Sequence, residues 1–289
     1  MYRYNELNTK VFWTSNEYTN PIHRYTLHRH TDKGMPIVTL TTDFGLKDYY
    51  VAIIKGAILR ESPNLQIIDI THHIPHHNIV QAAFVLKNAY ASFPEGTLHI
   101  VSVNTHYSKE SSFLLMQHEG YFFLLPDNGT LTLLFDPIPE NITRIFPDNF
   151  AEQTLNMLYA KIAKHLAMGK PMEELGEASG TIEQRITLQA VISPAQIRGS
   201  VIHIDNYENV VVNITKDLFE KVGEGRKFRL YFKRHDPILK LSEHYQDVAI
   251  GEELCLFNAA NYLEIAINMG SAASMLGLKV DDTVQIDFE

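Results

Sequence analysis

The chain has 289 residues, about twice the usual size of one domain, so two domains are expected. Hydrophobic residues at 45% and charged residues at 20% give a globular balance without a disorder signature. A net charge of −9 with no basic stripe excludes a nucleic-acid partner, and one cysteine, Cys255, excludes an intramolecular disulfide and suits a reducing, cytoplasmic compartment.

Residues 1–34 are polar and aromatic with no hydrophobic period, and are expected to be a disordered or loosely docked extension, with Met35 the functional beginning. From Pro36 the pattern is α/β. Ile37–Thr42 reads as a buried strand. Tyr49–Leu59 reads as a helix with Ile53, Ile54, Ala57 and Ile58 on one face. Leu65–Ile70 is a second strand, Ile79–Ala91 a second helix and Leu98–Val103 a third strand, an alternation that predicts a mostly parallel sheet. Phe113–Gln117 and Tyr121–Leu125 read as a hairpin, Asp127-Asn128-Gly129 as a tight turn, Ile142–Phe146 as a strand and Asn149–Met168 as a long helix.

The α/β domain is thus expected over residues 35–176, with a linker at 177–185 inside the polar stretch Glu173–Gln184. Residues 186–289 carry seven short strands with turn signals: Ile186–Ile192, Gly199–Ile204, Val210–Ile214, Lys227–Phe232, Glu253–Phe257, Leu263–Ile267 and Val284–Phe288. With one short helix near Ser271–Leu276, they predict a smaller all-β barrel domain. A ligand site is expected in the cleft between the two. No run approaches the length of apolar sequence that crosses a membrane, and the N-terminus lacks the apolar core of a secretory signal.

Asp43 follows the first strand, at the carboxyl edge where parallel α/β sheets hold ligands. Its carboxylate suits the vicinal hydroxyls of a ribose, or a cap on the following helix. Asp69 ends the second strand, and His72, His73, His76 and His77 follow it. Four His in six residues suggest a metal site or a plain polar loop; without matching ligands elsewhere, no metal is assigned. Neither a glycine-rich phosphate loop nor a G-x-S-x-G elbow is present, which argues against ordinary dinucleotide binding, NTP hydrolysis and serine catalysis. Asp205-Asn206-Tyr207-Glu208-Asn209 reads as a hairpin loop with an Asp able to hold an ammonium group and an Asn able to pair with adenine. Tyr245 can stack on a base or pack at a domain edge. Asn258 and Met269 lie in loops beside strands.

Six segments in order resemble one family, the S-adenosyl-L-methionine hydroxide adenosyltransferases, relatives of fluorinase and chlorinase enzymes. They are Thr41–Gly56 (TTDFGLKDYYVAIIKG), Ile67–Ile74, Pro94–Val101, Pro126–Leu131, Asp205–Asn209 and Tyr262–Ala273 (YLEIAINMGSAA). The resemblance implies a homotrimer with sites at subunit contacts. It implies attack of water or hydroxide on C5′ of the adenosyl group, expelling methionine and giving adenosine, with no cofactor beyond the sulfonium substrate. It places Asp43 on the ribose diol, Asp205 on the methionine ammonium, Asn209 and Tyr245 on the adenine, and Asn258 and Met269 in the same pocket.

In the usual water-activating set of Asp, Arg and His, Asp69 keeps the first. The Arg position falls on His76 and the His position near Thr154. The usual D-P-G-V-G loop reads Asn104-Thr105-His106-Tyr107-Ser108, so the substrate-contacting carboxylate there becomes the amide of Asn104, and a serine expected near the methionine carboxylate is Ala259. A hydrolase with a rearranged water site is therefore expected. The competing readings are a silent binder of the adenosyl ligand, a halide-using relative and a metalloenzyme resting on the His cluster.

Overall fold

The protein is described by a computed structural model over residues 37–147, 154–186, 189–233 and 235–289. The expected 1–34 extension and the start of the helix expected from Asn149 lie outside these residues. The first half is a seven-stranded sheet built from β1 (Ile37–Thr42), β2 (Gln66–Thr71), β3 (Leu98–Ser102), β4 (Phe113–His118), β5 (Tyr121–Pro126), β6 (Ile142–Ile145) and β7 (Glu177–Ala178), in the order β2-β1-β3-β5-β4-β6-β7. Strands β2, β1, β3 and β5 pair in parallel, while β4 and β7 run against their neighbours. The sheet is mostly parallel, as its alternating pattern predicts. Glu177-Ala178, expected in a linker, is instead an edge strand on β6, held at register by Thr143 and Arg144.

Helices cover both faces. Helix α1 (Tyr50–Glu61) packs with α4 (Leu155–Ala167) on one face. Helix α2 (Ile79–Lys87) and the short α3 (Thr130–Leu134) cover the other. In α1 the buried positions are Val51, Ile54, Ala57 and Ile58. Ile53, expected on the same face, is 44% exposed; it falls between the rows spaced three and four residues apart that face the sheet. Helix α2 ends four residues earlier than expected, at Lys87, and passes into a 3₁₀ turn at Tyr90–Ser92.

The topology sets the crevice. β1 leads through α1 to β2 on one side, and the chain then crosses to β3 on the other side of β1. The carboxyl ends of β1 and β3 therefore flank the point where the strand order reverses, the usual ligand position in open α/β sheets. Under it, His99 of β3 is fully buried with its Nδ1 2.7 Å from Thr39 Oγ1. It is surrounded by Tyr90, Phe93, Tyr121 and Phe123. Burial lowers its pKa to about 4, because the apolar cage disfavours the charged ring.

The second half is a curled antiparallel half-barrel in the order β11-β14-β9-β10-β13-β12, with β8 added beside β9. Its strands are β8 (Val191–Ser193), β9 (Gln196–Ile204), β10 (Val210–Thr215), β11 (Phe228–Phe232), β12 (Glu253–Phe257), β13 (Tyr262–Ile267) and β14 (Thr283–Phe288). The core alternates inward along these strands, as with Val210, Val212 and Ile214. The sequence reading missed α5 (Lys216–Gly223), which Thr215 caps by accepting the Leu218 N–H at 3.3 Å. Helix α6 (Ala272–Leu276) is the one expected. Contacts between the halves run through α2: Gln81 pairs with His203 at 2.7 Å and donates to the Ile202 carbonyl, and Phe84 packs on His203 and Tyr262. Among the described residues no helix is long and apolar enough to cross a membrane.

Candidate functional site

Asp43 stands at the carboxyl end of β1 and is 8% exposed. Its Oδ2 accepts the backbone N–H of His77 at 2.9 Å and of Asn104 at 3.2 Å. Both donors are left-handed residues, with φ of 63° and 49°, an uncommon conformation for anything but glycine. Two loops, one after β2 and one after β3, thus turn sharply to aim at one carboxylate oxygen. The other oxygen, Oδ1, accepts neither of them.

The loops are themselves held. Asn78 caps α2 by accepting the Gln81 N–H at 3.0 Å, and Ile74 N–H donates to the Thr42 carbonyl at 3.3 Å. Asn128, in the turn after β5, donates its amide to the carbonyls of Val103 and Asn104 at 3.1 and 3.3 Å. Asp43 then opens on a cleft of about 420 Å³ bordered also by Tyr50, His76, Asn104 and Thr105, within the range of small-molecule sites. The structure therefore brings together three of the residues singled out in the sequence: Asp43, His76 and Asn104.

Asp69 is placed differently. It lies on β2, the edge strand, and its carboxylate meets Lys55 Nζ at 2.6 Å and His72 Nε2 at 3.0 Å. Burial opposes its charged form, but the hydrogen bonds from Lys55 and His72 outweigh that and hold its pKa below the usual carboxylate range. His72 is buried and ties the group to β1 through Thr42 Oγ1 at 2.8 Å. Of the four clustered His, then, His72 is a structural partner and His76 and His77 border the cleft. Among the described residues no group of His, Cys, Asp or Glu is arranged to hold a metal ion.

A second group forms in the half-barrel. Asp205 Oδ1 accepts the N–H of Tyr207 and of Asn209, both at 2.8 Å, and its Oδ2 accepts the Asn209 amide at 3.1 Å. The expected ammonium and adenine contacts therefore begin as one closed turn. Tyr245 donates its hydroxyl to Glu264 Oε1 at 2.7 Å, and Asn258 donates its amide to Glu264 Oε2 at 3.1 Å. Burial raises the pKa of Glu264, and Asp205 adds to the effect, so the two carboxylates share one neighbourhood. Met269 is 85% exposed, with a left-handed φ of 56°.

Glu264 lies within the Tyr262–Ala273 segment, and the sequence pattern assigns it no role. Its signal is a charged residue inside the apolar strand Tyr262–Ile267, where burial without partners would be costly. Tyr159 of α4 was also missed. It is fully buried, and its hydroxyl donates to Ser102 Oγ at 3.0 Å beneath the cleft. The expected catalytic His position near Thr154 falls at the N-cap of α4, and Glu152 and Gln153 lie outside the described residues.

A profile for the N-terminal domain of SAM hydroxide adenosyltransferases matches residues 38–176, and the profile for their C-terminal domain matches residues 199–285. The chain belongs to the SAM hydroxide adenosyltransferase family. It is 28% identical to an (R)-S-adenosyl-L-methionine hydrolase of Methanocaldococcus jannaschii, covering 88% of this chain and 97% of that protein. A fluorinase of Nocardia brasiliensis is 27% identical over 89% of this chain and 98% of its own length. In structure it resembles an uncharacterized conserved protein from Thermotoga maritima with a TM-score of 0.77 and 31% identity, covering 86% of this chain and 99% of that one. Membership of this hydroxide adenosyltransferase family covers both halves, and so both groups of polar residues described above.

Proposed function

We propose that this chain hydrolyses S-adenosyl-L-methionine to adenosine and L-methionine by attack of water or hydroxide at C5′. The observation that carries the reading is Asp43: a nearly buried carboxylate, fixed through one oxygen by two backbone donors, at the switch point of a sheet in a family of adenosyl-transferring enzymes. A fixed acceptor of this kind suits a ribose diol, whose hydroxyls donate to a charged oxygen more strongly than to a neutral one.

The chemistry asks little of acids. A sulfonium is a cationic leaving group and departs as a neutral thioether, so no proton has to be delivered to it. The protein has to orient the substrate, shed bulk water and aim one nucleophile along the line of the breaking bond. In this proposal His76, on the border of the cleft, holds the attacking water, Asp69 accepts a hydrogen bond from it on the lone pairs that Lys55 and His72 leave, and the proton that the water loses on bonding C5′ passes along this contact to solvent. S-adenosyl-L-methionine is the substrate, and no separate cofactor is invoked.

Asp205, Asn209, Tyr245, Asn258 and Met269 are proposed to bind the methionine and adenine ends, completing the site in a homotrimer where the half-barrel of one copy meets the crevice of the next. Two observations support self-association. The edge strand and its flank expose Tyr49, Tyr50, Ile53 and Ile68, and the half-barrel loops expose Tyr207, Ile250 and Met269; apolar patches beside an open sheet edge are usual interaction surfaces. Light scattering should give three times the 33.0 kDa chain mass. A cytoplasmic location is proposed from the unpaired, buried Cys255.

The test is to incubate the purified chain with S-adenosyl-L-methionine, with and without halide, and separate the products. Adenosine and methionine in equal amounts, independent of halide, are expected. Binding of the substrate with no adenosine at any pH between about 5 and 9 would leave only a silent binder.

A further inference from the structure

Three hydroxyl groups lie in series beneath the cleft: Tyr159 on α4, Ser102 at the end of β3 and Thr105 in the loop that follows. The Tyr159 hydroxyl donates to Ser102 Oγ at 3.0 Å, and Ser102 Oγ donates to Thr105 Oγ1 at 3.3 Å. Tyr159 and Ser102 are fully buried, whereas Thr105 is half-buried and borders the cleft beside Asp43 and Asn104.

Each hydroxyl owns one hydrogen. Those of Tyr159 and Ser102 are spent within the series, while the hydroxyl of Thr105, which also pairs with that of Tyr159, is the one that can turn its hydrogen to the cleft. Tyr159 packs against Phe113 in the apolar core, so the hydroxyls of Ser102 and Thr105 are what satisfy its own, and a buried donor without an acceptor is costly. Burial raises the pKa of the phenol and outweighs its hydrogen bonds with Ser102 and Thr105, which act the other way, and the nearby charge of Asp43 adds to the rise. It therefore stays a donor at any working pH, and each bond in such a series polarises the next.

Asp43 alone is an incomplete match for a diol. A carboxylate only accepts, so it satisfies the hydrogens of the ribose hydroxyls and leaves their oxygens without donors. We propose that Thr105 is a further ligand-contacting and specificity-determining residue, its outward hydrogen donated to a ribose hydroxyl whose own hydrogen goes to Asp43, with Tyr159 and Ser102 as positioning residues that fix its direction. This rests on the adenosyl reading of the cleft and adds to it a specific donor for the sugar.

The test uses the full chain and the variants Thr105→Val, Thr105→Ser and Tyr159→Phe, with adenosine, 2′-deoxyadenosine and 3′-deoxyadenosine as calorimetric probes. Thr105→Val should weaken adenosine binding about fivefold to tenfold, the range of one neutral hydrogen bond, and Thr105→Ser should restore it. For the deoxy probe that lacks the contacted hydroxyl, wild type and Thr105→Val should bind alike. Tyr159→Phe should weaken adenosine binding less, and add nothing in the Thr105→Val background. An equal loss on all three probes would reduce Thr105 to packing, and unchanged adenosine affinity in Thr105→Val would remove the contact altogether; either overturns this inference while the hydrolase reading stands. Failure of the wild-type chain to bind adenosine would overturn both.

Discussion

The two polar groups of this protein are built on opposite plans. In the crevice of the α/β half, the central carboxylate is held by main chain: Asp43 accepts N–H groups from residues 34 and 61 positions away, delivered by left-handed backbone. In the half-barrel, Glu264 is held by side chains, Tyr245 and Asn258, and Asp205 by its own five-residue turn. The first plan fixes an acceptor through one of its oxygens. The second satisfies its members with one another, so a ligand has to compete for them. The difference teaches that a carboxylate at a strand end can be fixed by main chain alone, whereas one on a hairpin depends on its neighbouring side chains.

The largest expected effect is on turnover. His76→Ala should abolish adenosine formation while adenosine affinity stays within about twofold, the mark of a contact used mainly in the transition state. Equal rates in the variant would move the water elsewhere. Next, Asp43→Ala should weaken adenosine binding by at least about tenfold, since each hydrogen bond to a charged group is worth about 1.5–3 kcal/mol; the two loops should also lose their shared anchor, seen as faster amide exchange at His77 and Asn104. Calorimetry showing wild-type affinity would break the contrast at its first term.

The frame beneath the crevice carries its own signature in pH. His99 has its pKa lowered to about 4 in the folded chain from an ordinary 6.5. A depressed folded value means that the unfolded chain binds the proton first. Its contribution is therefore complete above pH 6.5 and is lost as pH falls toward 4, by up to about 3 kcal/mol. Urea unfolding of wild type and His99→Phe should show the difference between them shrinking across that window; a constant difference would contradict the buried neutral ring. The smallest effect belongs to the half-barrel: Tyr245→Phe should cost about 1 kcal/mol, one hydrogen bond, and should be coupled to Glu264→Gln in a double-mutant cycle. Additive values would mean that the ring of partners is not a unit.

Much of this was legible in the sequence, and the reasons are local. Asp43 follows a buried run of six residues and precedes a helix, which is enough to place it at a sheet edge. The order of strands and helices gave the parallel core, and evenly spaced short strands gave the antiparallel second half. What was not legible depends on distance along the chain. Nothing near Asp43 announces donors from His77 and Asn104, and nothing near Asp69 announces Lys55 on the preceding helix. Asp205 and Asn209 read as ligand groups, and nothing in the sequence shows that they also pair with each other, a pairing that exists only once the turn has closed. Helix α5 was missed because its eight residues, Lys216–Gly223, bury little, although Thr215 and Asp217 do carry a capping signal. Ile53 reads with Ile54, Ala57 and Ile58 as one apolar face, of which helical geometry turns Ile53 alone out to solvent.

His77 and Asn104 do two things with separate atoms. Their amide hydrogens anchor Asp43, and their side chains border the cleft. A substitution that tolerates the left-handed backbone, such as His77→Asn or Asn104→Gly, can therefore alter what the cleft recognises without loosening the anchor. A β-branched residue or proline at either position strains or removes the N–H and loses both. The pair is thus a natural place for substrate range to change in steps, one side chain at a time, on a grip that stays the same.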